Sequence, residues 1–426
     1  MSKSIVVLGA GIGGLSQAFE LNRLIHDHET LTVVNDAPDF EFTPSNPWVA
    51  VGWRKPAQIR LPLEPLLHRH AINFVEGRAT RVVADENRIE LADGRVIPYD
   101  YLVVASGPAL AFDEVPGLGP DGYTSSVCKT DHAAETHQAV EQLIKEGGPV
   151  VVGAAAGASC FGPAYEYAFI LDTALRRAKA RHRVPITLVT PEPYIGHLGL
   201  DGVGDTKTLL ESELRQRHIR WQTNARIDRV SEDTVYVTEV DESGEEHSCT
   251  EHAYVHAMVL PAFRGIDALT GVEGLVNPRG FVLVDEFQRN PAYPNIYAVG
   301  VCIAIPPVGQ TPLPVGVPKT GFMIESMVTA AAQNIRAALD GEEPSARGTW
   351  TAVCLADFGD SGVAFVASPQ IPPRNVNWAS HGRWVHAAKV GFERYFLHKL
   401  RRGQNEPFYE KQVLKWLGTD KLEKAG

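Results

Sequence analysis

The stretch "VVVGAAAGASCFGPAYEYAF", Val150 to Phe169, has the outline of a dinucleotide-binding unit. Its valines suit a buried strand, a Gly-rich turn follows, and then a run fit for a helix. The glycine template falls on Gly153, Ala155 and Ala158, so two of its three positions carry a methyl group. At Ala155 that methyl obstructs the close backbone approach a pyrophosphate needs. The next strand, in "ITLVTPEP", ends at Thr190-Pro191 where a ribose-binding acid is expected. The scaffold is that of an NADH unit without its binding groups, so the electrons are expected to come from another donor. Cys160 stands one turn into the expected helix, where a helix N-terminus lowers a thiol's pKa; a buried structural cysteine fits the residue alone equally well. The run is uncharged from Gly148 until Glu166, but its Gly and Ala content and missing basic anchors favour strand, turn and buried helix over a membrane span.

Upstream, "SIVVLGAGIGGLSQAFEL" is a strand, then Gly9-x-Gly11-x-x-Gly14, then a helix. The first glycine allows the tight turn, the second the approach of a pyrophosphate, and the third close helix–strand packing. The second strand, "LTVVND", ends in Asn35 and Asp36 in place of the usual ribose-binding acid. "YDYLVVASGP" puts Ser106-Gly107 where two-domain flavoproteins carry Ala-Thr-Gly. "GFVLVDEFQRNPAYPNIYAVG" resembles the segment that closes their FAD domain, with Val301 after Gly300 in place of Asp. The predicted fold class is α/β with two Rossmann-like βαβ domains, the FAD domain being interrupted by a degenerate NADH-type domain. The FAD domain takes residues 1–115 and 271–340, and the second unit, with Cys128 and Cys160, takes 116–270. Residues 341–426, with Cys354, form a C-terminal amphipathic helical segment for quinone and membrane.

Composition bounds the rest. A content of 44% hydrophobic and 21% charged residues describes a folded protein and excludes disordered and repeat classes. "MSKSIVVLGAGIGG" runs straight into a strand, so no signal peptide is expected and folding in the cytoplasm is the default. The net charge is −11, yet residues 381–426 hold ten Lys or Arg against five Asp or Glu, a local +5. That asymmetry makes the tail a candidate for an anionic surface, with a solvated terminal helix as the plain alternative. The five cysteines (128, 160, 249, 302 and 354) have no zinc-site spacing, so redox or catalytic use is expected and no metal is.

Six segments carry a more specific signal: "PSNPWVAVGW", "GASCFGPAYEY", "EPYIGHLG", "GVPKTGFMIESM", "GTWTAVC" and "EPFYEK". Through them the chain resembles the sulfide:quinone oxidoreductases over essentially its whole length. The resemblance implies that Cys160 and Cys354 form a redox disulfide on one face of FAD, with Cys128 in sulfide handling or in covalent attachment of FAD. Cys249 and Cys302 match no family catalytic position and are read as structural. It implicates Gly9, Ala10, Gly11, Ile12, Gly13, Gly14, Asn35, Asp36, Thr43, Ala111, Gly300, Val301 and Gly321 in holding FAD. Lys319 would place a positive charge near the pyrimidine end of the flavin, and His132, Glu166 and His197 fit acid–base helpers. The implied chemistry is oxidation of sulfide to polysulfide or elemental sulfur, with electrons passing through FAD to a membrane quinone (ubiquinone or menaquinone). Two rivals share the fold. An NADH:quinone oxidoreductase (type II) needs the groups missing around Gly153. The flavin subunit of a flavocytochrome c sulfide dehydrogenase should carry an export signal.

The tail sequence "RWVHAAKVGFERYFLHKLRR" puts Val385, Ala388, Phe392, Phe396 and Leu400 on one helical face, and "EPFYEKQVLKWLG" does the same with Tyr409, Val413 and Trp416. Pattern alone allows a core-packed helix pair or one lying in a membrane interface. The resemblance implies the second, a monotopic, peripheral attachment to the bacterial inner membrane, with Phe392 and Tyr409 sandwiching the quinone and Lys389 nearby. Expected partners are therefore hydrogen sulfide, the quinone and a lipid bilayer surface, with no nucleic acid and a homo-oligomer left open.

Overall fold

In the computed structural model, which describes residues 2–408, 410, 412 and 420–423, two parallel sheets lie in one chain. The first runs in the order Ile296–Ala298, Tyr101–Val104, Ser4–Leu8, Thr30–Asn35, Asn73–Glu76. Every pair is parallel, with Val6 opposite both Thr32 and Leu102. Strands covered on both faces read as near-continuous apolar runs, and "IVVL" is buried throughout. The strand order reverses between Ser4–Leu8 and Tyr101–Val104, which opens a crevice at their carboxyl ends, between Gly9 and Gly107.

The second sheet is Ile219–Gln222, Ile186–Val189, Val150–Ala154 and His256–Leu260, again all parallel. An antiparallel meander, Ala225–Val230, Thr234–Val240 and Glu246–Ala253, leads into its last strand. The chain then returns to the first sheet through Ile296–Ala298, and the closing helix Gly321–Asp340 packs on the first fingerprint helix Ile12–Leu24. That closing helix is rich in Ala and ends at Gly341 in the left-handed region, φ 78°, a conformation glycine adopts without strain. A third, antiparallel sheet (Ala352–Asp357, Gly362–Ser368, Val376–His381) is covered by the C-terminal helix Arg383–Arg401.

Two expectations are corrected here. Cys160 does not stand inside the second fingerprint helix, which spans Gly162–Arg177 and starts with Pro163 in its first turn. Proline's missing N–H costs nothing there, so the helix begins two residues after the cysteine. Most of the apolar face of the C-terminal helix packs inward. Val385, Phe396 and Leu400 are buried in the protein core, Phe396 at 1% exposure, while Phe392 is exposed at 37%. The same face also buries Lys389, Glu393 and Lys399, each paired: with Glu166, with Arg54 at 2.9 Å, and with Glu325 at 2.5 Å. Buried charges of this kind persist only with partners, and only a protein interior supplies those partners at fixed positions.

Candidate active site

The first fingerprint is shaped as its glycines require. The Gly9 N–H donates to the Val34 carbonyl at 2.7 Å with φ 103°. A Cβ on Gly14 would stand 1.9 Å from the Gly9 carbonyl oxygen, so helix and turn touch only because Gly14 lacks one. Gly11, Gly107 and Gly321 line the crevice, and a Cβ on any of them would meet no protein atom within 4 Å. Beside this cradle the Thr320 hydroxyl is buried without a hydrogen-bond partner at the N-cap of the closing helix, as is the Ser159 hydroxyl ahead of the second fingerprint helix. An open glycine-lined cradle and an unsatisfied hydroxyl at a helix N-terminus fit a dinucleotide carrying phosphates, so the residues present suit FAD.

Other assigned residues sit as follows. Asn35 accepts the Ala10 N–H at 2.8 Å and donates to the Ala37 carbonyl at 2.8 Å, so its amide shapes the Gly-rich turn, while Asp36 beside it is exposed. Ile12 begins the first helix, and Gly13 lies where a Cβ would stand 3.3 Å from Ile324 of the closing helix. Thr43 is exposed on a short turn, Ala111 is buried opposite Ala262, and Val301 follows Gly300, whose φ is 87°. Burial pulls the Lys319 ammonium down to about 8, with the Cys302 and Cys160 thiols in electrostatic reach and the Phe281 ring 5.1 Å away. Cys302 is fully buried and donates to the Val104 and Val299 carbonyls at 3.3 Å, a packing role.

The second fingerprint is closed by the protein itself. The Ala155 N–H donates to Leu260, the Gly157 N–H to Pro314 at 2.7 Å, and the Gly316 N–H to Ala158. The amides that would cradle a pyrophosphate are therefore spent on the segment 314–316 and the last strand. Sequence reasoning found no acid at Thr190-Pro191, yet one stands at Glu192, turned inward and fully buried. It accepts from Tyr165 and Thr190 at 2.8 Å and from the Leu198 N–H at 2.6 Å, and burial pushes its carboxyl up to about 7.

Three thiols converge beside this closed turn. Cys160 is in electrostatic reach of both Cys128 and Cys354. All three are free thiols in this structure, and burial pushes Cys128 and Cys160 up to about 11 and Cys354 to about 12. The expected lowering at the helix N-terminus is overturned, because the Gly162 N–H and Lys389 offset only part of the desolvation. Glu166 and Lys389, read in the sequence as two separate functions, form one buried ion pair between the second fingerprint helix and the C-terminal helix. Burial raises the Glu166 carboxyl against the pull of Lys389, and it also accepts the Asp357 N–H at 2.7 Å. Asp357, which no motif singled out, holds Trp48 and His386 at 2.7 Å each.

His132 and the Cys128 N–H share the Ser126 hydroxyl, at 3.3 and 3.1 Å. His197 is held in its own loop by the Gly199 N–H at 3.2 Å and by Tyr194. Burial lowers the pKa of both histidines. Phe392 forms an aromatic group with Phe42 and Phe396, centroids 6.1 and 5.6 Å away, within a turn of Lys389. Tyr409, Val413 and Trp416 lie outside the described residues.

Residues 3–333 match the model of the pyridine nucleotide-disulphide oxidoreductase family. The chain is 40% identical over 416 residues to the sulfide-quinone reductase of Aquifex aeolicus, covering 97% of this chain and 95% of that one. It superposes on the X-ray structure of the sulfide:quinone oxidoreductase of the same bacterium with a TM-score of 0.94 at 38% identity, covering 100% and 98% of the two chains. A type II NADH:quinone oxidoreductase of Staphylococcus aureus is more distant, 23% identical over 80% of this chain and 83% of its own. With its thiols gathered at a closed second fingerprint, the chain belongs to the sulfide:quinone reductases within the pyridine nucleotide-disulphide oxidoreductase family.

Proposed function

We propose that this protein oxidises sulfide to polysulfide or elemental sulfur through a Cys160–Cys354 disulfide and passes the electrons to a membrane quinone. The observation that carries the reading is the proximity of Cys160 to both Cys128 and Cys354 and to the Glu166–Lys389 pair, where the amides of the neighbouring dinucleotide turn are already bonded to Pro314 and Leu260. The HS⁻ ion attacks one sulfur of the bridge, the S–S bond breaks, and the pair leaves with the other cysteine as thiolate while a persulfide forms. The nucleophile is the substrate anion, so the attack itself needs no lowered cysteine pKa; the cysteine that leaves does need its thiolate stabilised against burial. Lys389 and Lys319 face the negative charge that appears on the thiolate. FAD, the cofactor this family carries, supplies a two-electron store between the thiols and the quinone.

Sulfide should bleach the flavin absorbance of the holoprotein rapidly, and micromolar NADH should do so at least ~10²-fold more slowly, the scale of losing about 3 kcal/mol of binding. Comparable rates in stopped-flow traces would return the chain to the NADH-oxidising reading.

The finer proposal is a peripheral seat on the bacterial inner membrane, with the chain's own aromatics in the lipid. Among the described residues no helix is long and apolar enough to cross a membrane. The outer face of the third sheet aligns Val353, Val366 and Trp378 across its strands. Trp378 on that face, Trp384 at the start of the C-terminal helix and Phe408 after that helix are 46%, 48% and 77% exposed. Such aromatics suit a membrane interface. Trp378→Glu with Trp384→Glu should shift most of the protein from liposome pellet to supernatant in co-sedimentation. Phe396→Glu should unfold the protein rather than release it, since Phe396 is in the core.

A further inference from the structure

The chain carries a net charge of −11, yet one of its faces gathers positive charge. An open groove of about 1340 Å³ runs along the edge of the second sheet, between the ends of the helices Gly162–Arg177 and Thr206–Gln216. Six Arg or Lys and three Asp or Glu line it, with His182 and His218 beside them. The acids are spent within the groove. Arg176, Arg181 and Arg217 hold Asp172 at 2.8, 2.6 and 3.0 Å, and Arg217 also holds Glu213 at 3.1 Å and Asp360 at 2.9 Å. Arg215 turns to Glu211 at 2.7 Å. Lys179 and Arg220 are left over, exposed and with no side-chain partner among the described residues. Basic residues near helix C-termini complement the helix dipole, and the bonded arginines do so here. The two unbonded cations do nothing within the fold that the structure shows.

The groove adjoins the exposed tryptophans. Strand Val376–His381 runs alongside helix Thr206–Gln216. The Gly204 N–H, just ahead of that helix, donates to the Asn377 side chain at 2.8 Å, and Glu213 near its end meets His381 at 3.2 Å. Trp378 follows Asn377, and Trp384 lies three residues after His381 with the exposed Arg383 before it. The two tryptophans therefore stand beside the two ends of a helix whose last turn lines the groove. Exposed tryptophans enter the headgroup level of a bilayer, and surplus cations beside them attract anionic lipids. We propose that this groove takes the phosphodiester headgroups of anionic phospholipids, with Lys179 and Arg220 as the contacts that select them. The inference rests on the peripheral membrane seat proposed above and names the lipid class that the seat prefers.

Co-sedimentation of the full-length, flavin-loaded protein with lipid vesicles is the test. Phosphatidylcholine vesicles containing phosphatidylglycerol should bind it at least ~tenfold more tightly than phosphatidylcholine alone, and raised salt should erase most of the difference. Lys179→Glu with Arg220→Glu should abolish that preference while keeping binding to neutral vesicles and the bleaching of flavin by sulfide. Both side chains are exposed, and Lys179→Gln with Arg220→Gln, which should lose part of the preference, decides if the reversal does not fold. No preference in the wild type, or a preference that survives the charge reversal, overturns the proposal. So does release from anionic vesicles by millimolar inorganic phosphate at constant ionic strength, which would make the groove a free-phosphate site. Self-association without vesicles that the reversal removes would also overturn it, assigning the groove to an acidic patch of a second copy. Trp378→Glu with Trp384→Glu should instead weaken binding to both kinds of vesicle. Failure of the wild type to sediment with either kind would refute the membrane seat itself.

Discussion

Cys160→Ser and Cys354→Ser should each lower sulfide-dependent turnover by at least ~10³-fold, or about 4 kcal/mol of transition-state stabilisation. A serine oxygen can neither close the bridge nor leave as a stable anion, so one replacement removes both the electrophile and the leaving group. The two losses should not add, because either change destroys the same bond; the double variant should be no slower than the worse single one. Flavin should stay bound, since the cradle of Gly11, Gly107 and Gly321 involves neither sulfur. Cys249→Ser is the control: this residue is exposed on the meander and should stay close to wild type. Steady-state quinone reduction with flavin absorbance checks all four. A single variant keeping more than about a tenth of the wild-type rate, a loss under ~1.4 kcal/mol, would refute the disulfide route.

The largest stability effect is expected at Lys389. Lys389→Met strands the Glu166 carboxylate, and breaking a buried pair from one side costs about 3–5 kcal/mol. Burial already raises Glu166 in the native protein, so losing its partner raises it further. The folded state then holds a proton that the unfolded chain has released. Stability is therefore fully present below the ordinary carboxyl pKa and falls as pH rises toward the folded value. Urea denaturation of Lys389→Met at acid and neutral pH should show the deficit mainly at neutral pH. Glu166→Gln combined with Lys389→Met should recover much of it, since no uncompensated charge remains. A uniform deficit at both pH values would mean that Glu166 is not the stranded group.

The parallel-sheet architecture was legible because its determinants are local. Gly9 and Gly14 stand where any side chain would collide with the turn, and the valines of Val150–Val152 suit strands covered on both faces. The damage to the second fingerprint was legible for the same reason, as missing glycines at fixed offsets. Its filling by Pro314 and Gly316 was not, because those residues arrive from more than 150 positions away. Glu192 escaped notice because the template places the acid at the strand end and this one lies two residues beyond, turned inward.

Residue order alone thus established the two nucleotide-type units, the cysteines worth attention and the loss of the NADH groups, all of which depend on spacing along one strand–turn–helix. Three-dimensional packing settled matters that depend on which distant segments meet. Glu166 and Lys389, 223 positions apart, became one ion pair. The Cys160 thiol, which a helix N-terminus was expected to acidify, is driven upward instead, because desolvation is set by the whole surround and outweighs one nearby amide. Val385, Phe396 and Leu400 of the helix face read as lipid-directed became core, and Phe392 stayed exposed, for the same reason: periodicity marks an apolar face, and only the neighbouring sheet and the paired Lys389, Glu393 and Lys399 show what covers it.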